Sequence, residues 1–168
     1  MNSQCYLAIS NHYGDRVAKR TQVPLMNHIN EGLEILRFMG SDFSAMEAYC
    51  LHPLVQDKTD LKVAIDHNTL DQYDIKSSLI LIAMEYRQVA NYYLSSDVCD
   101  NAKNATPSYF DVVNDMLIAD KIQNYKDFMK HHFESHPNYL RLYTYFHQWF
   151  QALDLDKQYV DEMVEIIS

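Results

Sequence analysis

The chain has 168 residues, of which 48% are hydrophobic and 13 are tyrosines, so it can bury a core as a single domain over residues 1–168, and disorder is excluded. The 23 acidic residues outnumber the 14 basic ones and give a formal charge of −9, and no run of Lys and Arg exists. A nucleic-acid-binding face, which needs clustered basic residues, is therefore not expected.

Cysteine usage and hydropathy bear on the compartment. Cys5, Cys50 and Cys99 have no paired spacing, which is typical of reduced thiols and predicts a cytoplasmic protein. Residues 1–10 lack the basic and then apolar pattern of a signal peptide, and no segment approaches 18 continuous apolar residues. We therefore expect no membrane partner.

Apolar residues recur at helical spacing through most of the chain, and only three glycines and four prolines interrupt it, which predicts an all-α fold. In chain order, the predicted helices cover residues 4–10, 24–39, 43–52, a stretch from Asp71 or Asp74 to Ser95, 107–132, 138–153 and 156–167. The polar residues 57–70 and the Ser-, Asp- and Asn-rich residues 95–107 are predicted to be mostly loop.

Local signals set several of these boundaries. Pro24 suits a first helical turn, where its missing N–H is not needed, and Gly40 suits a helix stop. Ser41 or Asp42 is predicted to cap the third helix. Pro53 should end that helix, since the residue before a proline rarely stays helical.

The predicted helix over residues 138–153 is rich in aromatic residues. Its aromatic side chains are Tyr139, Tyr143, Tyr145, Phe146, Trp149 and Phe150. We expect them to pack in the core or to form the interface of a homo-oligomer, rather than to stack on a nucleotide.

Three polar residues, His28, His52 and Asp120, stand in otherwise apolar helical surroundings. Two imidazoles and one carboxylate from three separate helices suit Mn²⁺, Fe²⁺ or Zn²⁺, with positions left open for water. Asn124 follows Asp120 by four residues and shares its helix face. The structural alternatives are a histidine bonded to a backbone carbonyl and an aspartate paired with an arginine.

The motifs around these residues resemble those of the RelA/SpoT-type (p)ppGpp pyrophosphohydrolases, members of the HD superfamily of metal-dependent phosphohydrolases. The matching segments, in chain order, are Arg20 and residues 24–28, 48–57 and 118–124. The resemblance implies a compact HD-like helical bundle that binds Mn²⁺, or another divalent metal such as Fe²⁺ or Zn²⁺, through His28, His52 and Asp120.

The same resemblance implies roles for five further residues. Asp57 and Gln56 would place the attacking water, and Arg20 and Lys121 would contact a small nucleotide substrate. Asn124 would contact the substrate or support Asp120. The implied reaction is hydrolytic removal of a 3′ diphosphate by a water that the metal activates.

Two positions depart from the family pattern. Pro53 replaces the aspartate of the His-Asp doublet and supplies neither a ligand nor a base. Gln56 replaces a glutamate; its amide can hydrogen-bond a water but cannot take its proton. Asp57, Asp60 or Asp66 could compensate for the lost ligand. The alternatives to a hydrolase are a degenerate member that binds a nucleotide or a protein without turnover, and a helical interaction protein whose polar residues only hold the core.

Overall fold

A computed structural model describes residues 3–19, 21–95 and 105–168. Within these residues the chain forms nine helices and no β-strand, which confirms the all-α class. The helices are α1 Gln4–Tyr13, α2 Leu25–Met39, α3 Phe43–Val55, α4 Lys58–Asp66, α5 Thr69–Gln72, α6 Ser77–Ser95, α7 Asp111–His131, α8 Tyr139–Ala152 and α9 Lys157–Ile166. A single antiparallel bridge between Val17 and Pro24 closes the connection from α1 to α2.

Helix α3 lies at the centre of the fold. Its residues 48–55 are all buried, and it contacts α1, α2, α4, α6 and α7. A helix that is apolar on every side belongs in the protein interior rather than on the surface. The polar groups of α3 must therefore find partners inside the fold.

Helix α7 forms the second wall of the core. It packs against α2, α3 and α6, and against α8 and α9 near the C-terminal end of the chain. Its buried positions combine apolar side chains such as Met116 and Leu117 with the polar side chains of Asp120, Lys121 and Gln123. Polar groups of α2, α3 and α7 consequently meet between these helices.

The predicted helix caps are confirmed. Gly40 adopts a left-handed conformation at φ 70°, and the N–H of Ser41 returns to the carbonyl of Leu36 at 3.0 Å, which ends α2. The side chain of Asp42 accepts a hydrogen bond from the N–H of Ser44 and caps α3, and Asp156 caps α9 in a similar way.

The prediction that Pro53 ends the third helix is wrong, because α3 continues through Pro53 to Val55. A proline inside a helix removes the N–H that would bond the carbonyl four residues earlier, here that of Tyr49. The ring of His52 replaces that donor, since its Nδ1 lies 2.6 Å from the Tyr49 oxygen. The buried helix thereby tolerates the proline.

The prediction of a loop over residues 57–70 is also wrong. Most of this segment forms α4, and α5 begins at its end. One oxygen of Asp57 accepts hydrogen bonds from the N–H groups of Thr59 and Asp60 at 2.6 and 2.8 Å, which caps α4. This capping aspartate explains why so polar a segment is helical.

Two predicted helix starts are displaced. Helix α6 begins at Ser77 rather than at Asp71 or Asp74, because the short helix α5 intervenes. Helix α7 begins at Asp111 rather than near residue 107, because Ser108 and Asn114 exchange hydrogen bonds of 2.8 and 3.0 Å that hold the preceding turn outside the helix. The predicted loop over residues 95–107 lies largely outside the described residues.

Among the helices of the described residues, none combines the length and the hydropathy that crossing a membrane requires.

Close packing of α2 on α3 generates a prediction about Gly32. A Cβ at this position would lie 2.2 Å from the hydroxyl oxygen of the fully buried Tyr49. We expect Gly32→Ala to lower the free energy of unfolding by about 1–3 kcal/mol, the usual cost of overpacking a core. Urea unfolding followed by circular dichroism measures this difference.

Gly14→Ala is the matched control, since a Cβ there meets no atom within 4 Å and only its positive φ of 51° is unfavourable. We expect a loss of about 1 kcal/mol for that variant, from backbone strain alone. A Gly32→Ala protein as stable as the wild type would contradict the close contact, because alanine is intrinsically the better helix former.

Candidate functional site

The three residues predicted to bind a metal are brought together. His28 comes from α2, His52 from α3 and Asp120 from α7, and one ligand atom from each lies within 4.8 Å of the other two. The Nε2 atoms of the two histidines are 3.1 Å apart, and His28 Nε2 is 3.6 Å from an oxygen of Asp120. His52 and Asp120 are buried, whereas 22% of the His28 side chain is exposed.

The orientation of the His52 ring is fixed by the backbone of its own helix. Its Nδ1 lies 2.6 Å from the carbonyl oxygen of Tyr49, which can only accept a hydrogen bond. The proton of the neutral ring must therefore be on Nδ1. The Nε2 atom consequently presents a lone pair toward His28.

The orientation of the His28 ring is fixed through α7. Its Nδ1 lies 2.6 Å from the side-chain oxygen of Gln123. The amide nitrogen of Gln123 donates to carboxylate oxygens of Glu31 and Asp127, both at 2.9 Å. Since carboxylates only accept, the amide can point only one way, and His28 Nδ1 must be the donor. His28 Nε2 is then also without a proton when the ring is neutral.

Two lone pairs therefore face each other at 3.1 Å between His28 and His52. Two acceptors at this distance repel unless a metal ion or a proton lies between them. Ligands about 2.1 Å from one metal ion are about 3.0–3.4 Å apart when their bonds make right or tetrahedral angles. The separations of 3.1 and 3.6 Å around His28 Nε2 are close to these values.

Asp120 is held in its ionised form with one oxygen directed at the histidines. Lys121 Nζ donates to one oxygen at 2.7 Å, and the Asn124 amide donates to the other at 2.9 Å. Burial opposes ionisation, but the Lys121 ammonium outweighs it and holds the pKa of Asp120 at about 2. Asp120 in turn raises the pKa of Lys121 against the effect of burial. Lys121, predicted to contact the substrate, thus contacts the Asp120 carboxylate, and Asn124 supports that carboxylate, which is one of its two predicted roles.

Burial lowers the pKa of His52, whereas it acts to raise the pKa of Asp120. Loss of solvent, together with the neighbouring His28, lowers the pKa of His52 from 6.5 to about 3. The ring is therefore neutral at physiological pH. A neutral imidazole is the form that binds a metal ion.

The remaining predicted residues lie in different places. Gln56 lines the cavities beside Asp120. Asp57 is exposed, and one of its oxygens is used to cap α4. Arg20 lies outside the described residues, so its predicted contact with a nucleotide stays a prediction.

Two cavities meet at Asp120, with volumes of about 430 and 260 Å³. Both are also lined by Gln56, Asn124 and Asp127. The larger cavity has aromatic walls formed by Tyr86, Phe128, Tyr145 and Phe146. The smaller cavity reaches His28. The cluster of candidate ligands is therefore reached from both cavities.

The aromatic residues of the predicted helix over 138–153 divide between two environments. Phe146, Trp149 and Phe150 are buried in the core, as expected for packing residues. Tyr145 and Phe146 also face the larger cavity. The expectation of a homo-oligomer through this helix stays a prediction.

Two contributors to the site were missed at the level of the sequence. Gln123 orients His28, and it could have been noticed as a third polar residue on the buried part of α7, three positions after Asp120. The role of the Tyr49 backbone carbonyl cannot be recognised from the residue type at position 49. Its availability follows from Pro53, four residues later.

Comparison of the chain with models of known families, with curated proteins and with solved structures finds no match. The HD-like assignment therefore stays a prediction, and the chemistry of the site is inferred from its geometry.

The pKa of His52 predicts an acid-sensitive fold in metal-free protein. Between pH 6.5 and about 3 the unfolded chain protonates this histidine and the folded chain does not, so stability is complete above pH 6.5 and falls as the pH is lowered. The expected loss is about 1.4 kcal/mol per pH unit. Asp120, with a pKa of about 2, adds a further loss below pH 4.

Urea unfolding with a chelator present, between pH 6.5 and 4.5, measures the effect. His52→Gln should reduce the pH slope, whereas His147→Gln, at an exposed position on α8, should not. Equal slopes for wild type and His52→Gln would show that the buried ring takes up protons as freely as the unfolded chain does.

Proposed function

We propose that His28, His52 and Asp120 bind a divalent transition metal, and that the chain hydrolyses a phosphate ester or anhydride in a nucleotide-like substrate. The observation that carries the proposal is the pair of Nε2 lone pairs directed at each other, with an ionised carboxylate beside them. Nitrogen and oxygen ligands of this kind suit Mn²⁺, Fe²⁺ or Zn²⁺.

The charges around the histidines favour a cation. Three carboxylates, those of Glu31, Asp120 and Asp127, are accompanied by the ammonium groups of Lys121 and Lys126. With both histidines neutral, this group carries one net negative charge, and a bound dication would turn it positive. The site is therefore complementary to a metal and, once loaded, to an anionic substrate.

Three protein ligands leave coordination positions open, as in catalytic metal sites. A metal in this position supplies a water of lowered pKa and stabilises negative charge that develops on phosphoryl oxygens. The protein's own contribution is to hold the ligands. Tyr49 and Gln123 orient the two imidazoles, and Lys121 holds the carboxylate in its ionised form.

The cavity of about 430 Å³ supports a nucleotide-like substrate. Tyr145 is half-buried in this lining, and its ring would suit stacking on a nucleobase, a role that was not expected of it from the sequence. Asp120 and Asn124 are part of the same lining, which would bring a phosphate to the metal ligands. The resemblance to the (p)ppGpp hydrolases favours a guanosine nucleotide with a 3′ diphosphate.

A second candidate is a regulator that binds the nucleotide without turnover. The observation that favours it concerns Asp57, whose carboxylate is engaged in capping α4 and is exposed. Gln56 then remains to position a water by hydrogen bonding, without the ability to take its proton. Metal and nucleotide would still bind, but the reaction would lack a general base.

Metal binding and hydrolysis are measured separately. Calorimetry with Mn²⁺, Zn²⁺ and, under anaerobic conditions, Fe²⁺ gives the metal affinity, and phosphate or diphosphate release from ppGpp and a panel of nucleotides gives turnover. We expect Asp120→Asn to weaken metal binding at least about 100-fold and to abolish turnover, because an amide oxygen replaces an anionic ligand.

Asp111→Asn is the matched control, since Asp111 is exposed in the first turn of the same helix and should leave metal affinity and turnover unchanged. Metal and nucleotide binding without turnover would favour the second candidate. Failure of the folded wild-type protein to bind any of the three metals would contradict both.

A further inference from the structure

A proline occupies an unusual position in helix α3. Pro53 lies in the last turn of the helix and is completely surrounded by protein. Because it lacks an N–H, the carbonyl of Tyr49 has no helical donor, and the proline ring pushes that carbonyl away from the helix axis. A buried carbonyl in this state needs a donor from elsewhere.

The donor is the adjacent side chain. His52 Nδ1 lies 2.6 Å from the Tyr49 oxygen, and both residues are buried. This bond fixes which ring nitrogen carries the proton, since a carbonyl can only accept. It thereby directs the unprotonated Nε2 at His28, 3.1 Å away.

The other contacts of the His52 ring do not select its orientation. The rings of Tyr49, Tyr86 and His28 surround it at centroid distances of 4.7, 5.0 and 5.1 Å. These contacts confine the plane of the imidazole, but they are similar for a ring turned by 180°, in which carbon atoms replace the two nitrogens. The 3.1 Å contact between the Nε2 atoms of His52 and His28 also differs between the two orientations, but between neutral rings it disfavours the observed one. Among the interactions of the described residues, the bond to the Tyr49 carbonyl is therefore the one that favours the observed orientation.

We infer that Pro53 is a positioning residue for the metal ligand His52, because it frees the Tyr49 carbonyl that sets the ring's orientation and tautomer. The inference rests on the proposed metal site. Any other residue at position 53 would supply a helical N–H that competes with the imidazole for that carbonyl. Pro53, which stands where the resembled family has a metal ligand, thus orients the preceding candidate ligand, His52.

Pro53→Ala tests this inference, with Pro137→Ala as the matched control, since Pro137 is exposed and lies outside the helices. The NMR signals of ¹⁵N-labelled histidine in metal-free protein report the tautomer of His52. Zn²⁺ titration reports metal affinity, and thermal unfolding reports stability.

We expect the Nδ1–H tautomer of His52 to dominate in the wild type and in Pro137→Ala, and to lose its dominance in Pro53→Ala. Zn²⁺ affinity should fall at least about 10-fold in Pro53→Ala, as it does when a partner that orients a ligand is lost. The Tm should fall by only a few degrees, because the regained helical hydrogen bond offsets part of the cost of truncating a buried proline.

An unchanged tautomer in Pro53→Ala would overturn the inference, as would a fall in affinity matched by a larger fall in Tm, which would indicate a merely structural proline. Absence of Zn²⁺ binding in the wild type would instead refute the metal site. In that case the tautomer comparison, made without metal, still decides whether Pro53 orients His52.

Discussion

The burial of residues 48–55 of helix α3 determines how the rest of the site is built. No water can reach the second half of this helix, so each of its polar groups must be satisfied by the protein. The carbonyl freed by Pro53 is bonded by His52, and His52 then presents a bare nitrogen to α2. The need to bond the Tyr49 carbonyl thus determines the placement of the His52 Nε2 atom, which is a proposed metal ligand.

The opposite side of the cluster is held by side chains rather than by backbone. Gln123 connects His28 to the carboxylates of Glu31 and Asp127, and Lys126 lies 2.6 Å from an oxygen of Glu31. Along this series of contacts, each group determines whether its neighbour donates or accepts the hydrogen bond. The two histidines are therefore oriented by independent contacts. Their Nε2 atoms face each other because of the way that α2, α3 and α7 pack together, and not because of one hydrogen bond.

Much of the fold and the identity of the cluster could be predicted from the sequence, because both depend on local signals. Helical spacing, the Gly40 stop and the Asp42 and Asp156 caps act over a few residues, and each was confirmed. The continuation of α3 through Pro53 could not be predicted from the rule that a helix ends before a proline. That rule assumes that no other donor can reach the carbonyl that has lost its helical hydrogen bond. The orientation of His28 depends on Gln123, which is 95 positions away in the chain, and no local pattern encodes that contact.

The chain contains one tryptophan, and its position links the site to an optical signal. Trp149 lies with its ring 5.3 Å from the Lys121 ammonium, which bonds to Asp120 at 2.7 Å. Indole emission is sensitive to the electric field of a nearby charge. A change in charge at Asp120 that displaces the ammonium alters that field at a single chromophore, so the fluorescence of the unlabelled protein is an intrinsic reporter of events at the carboxylate.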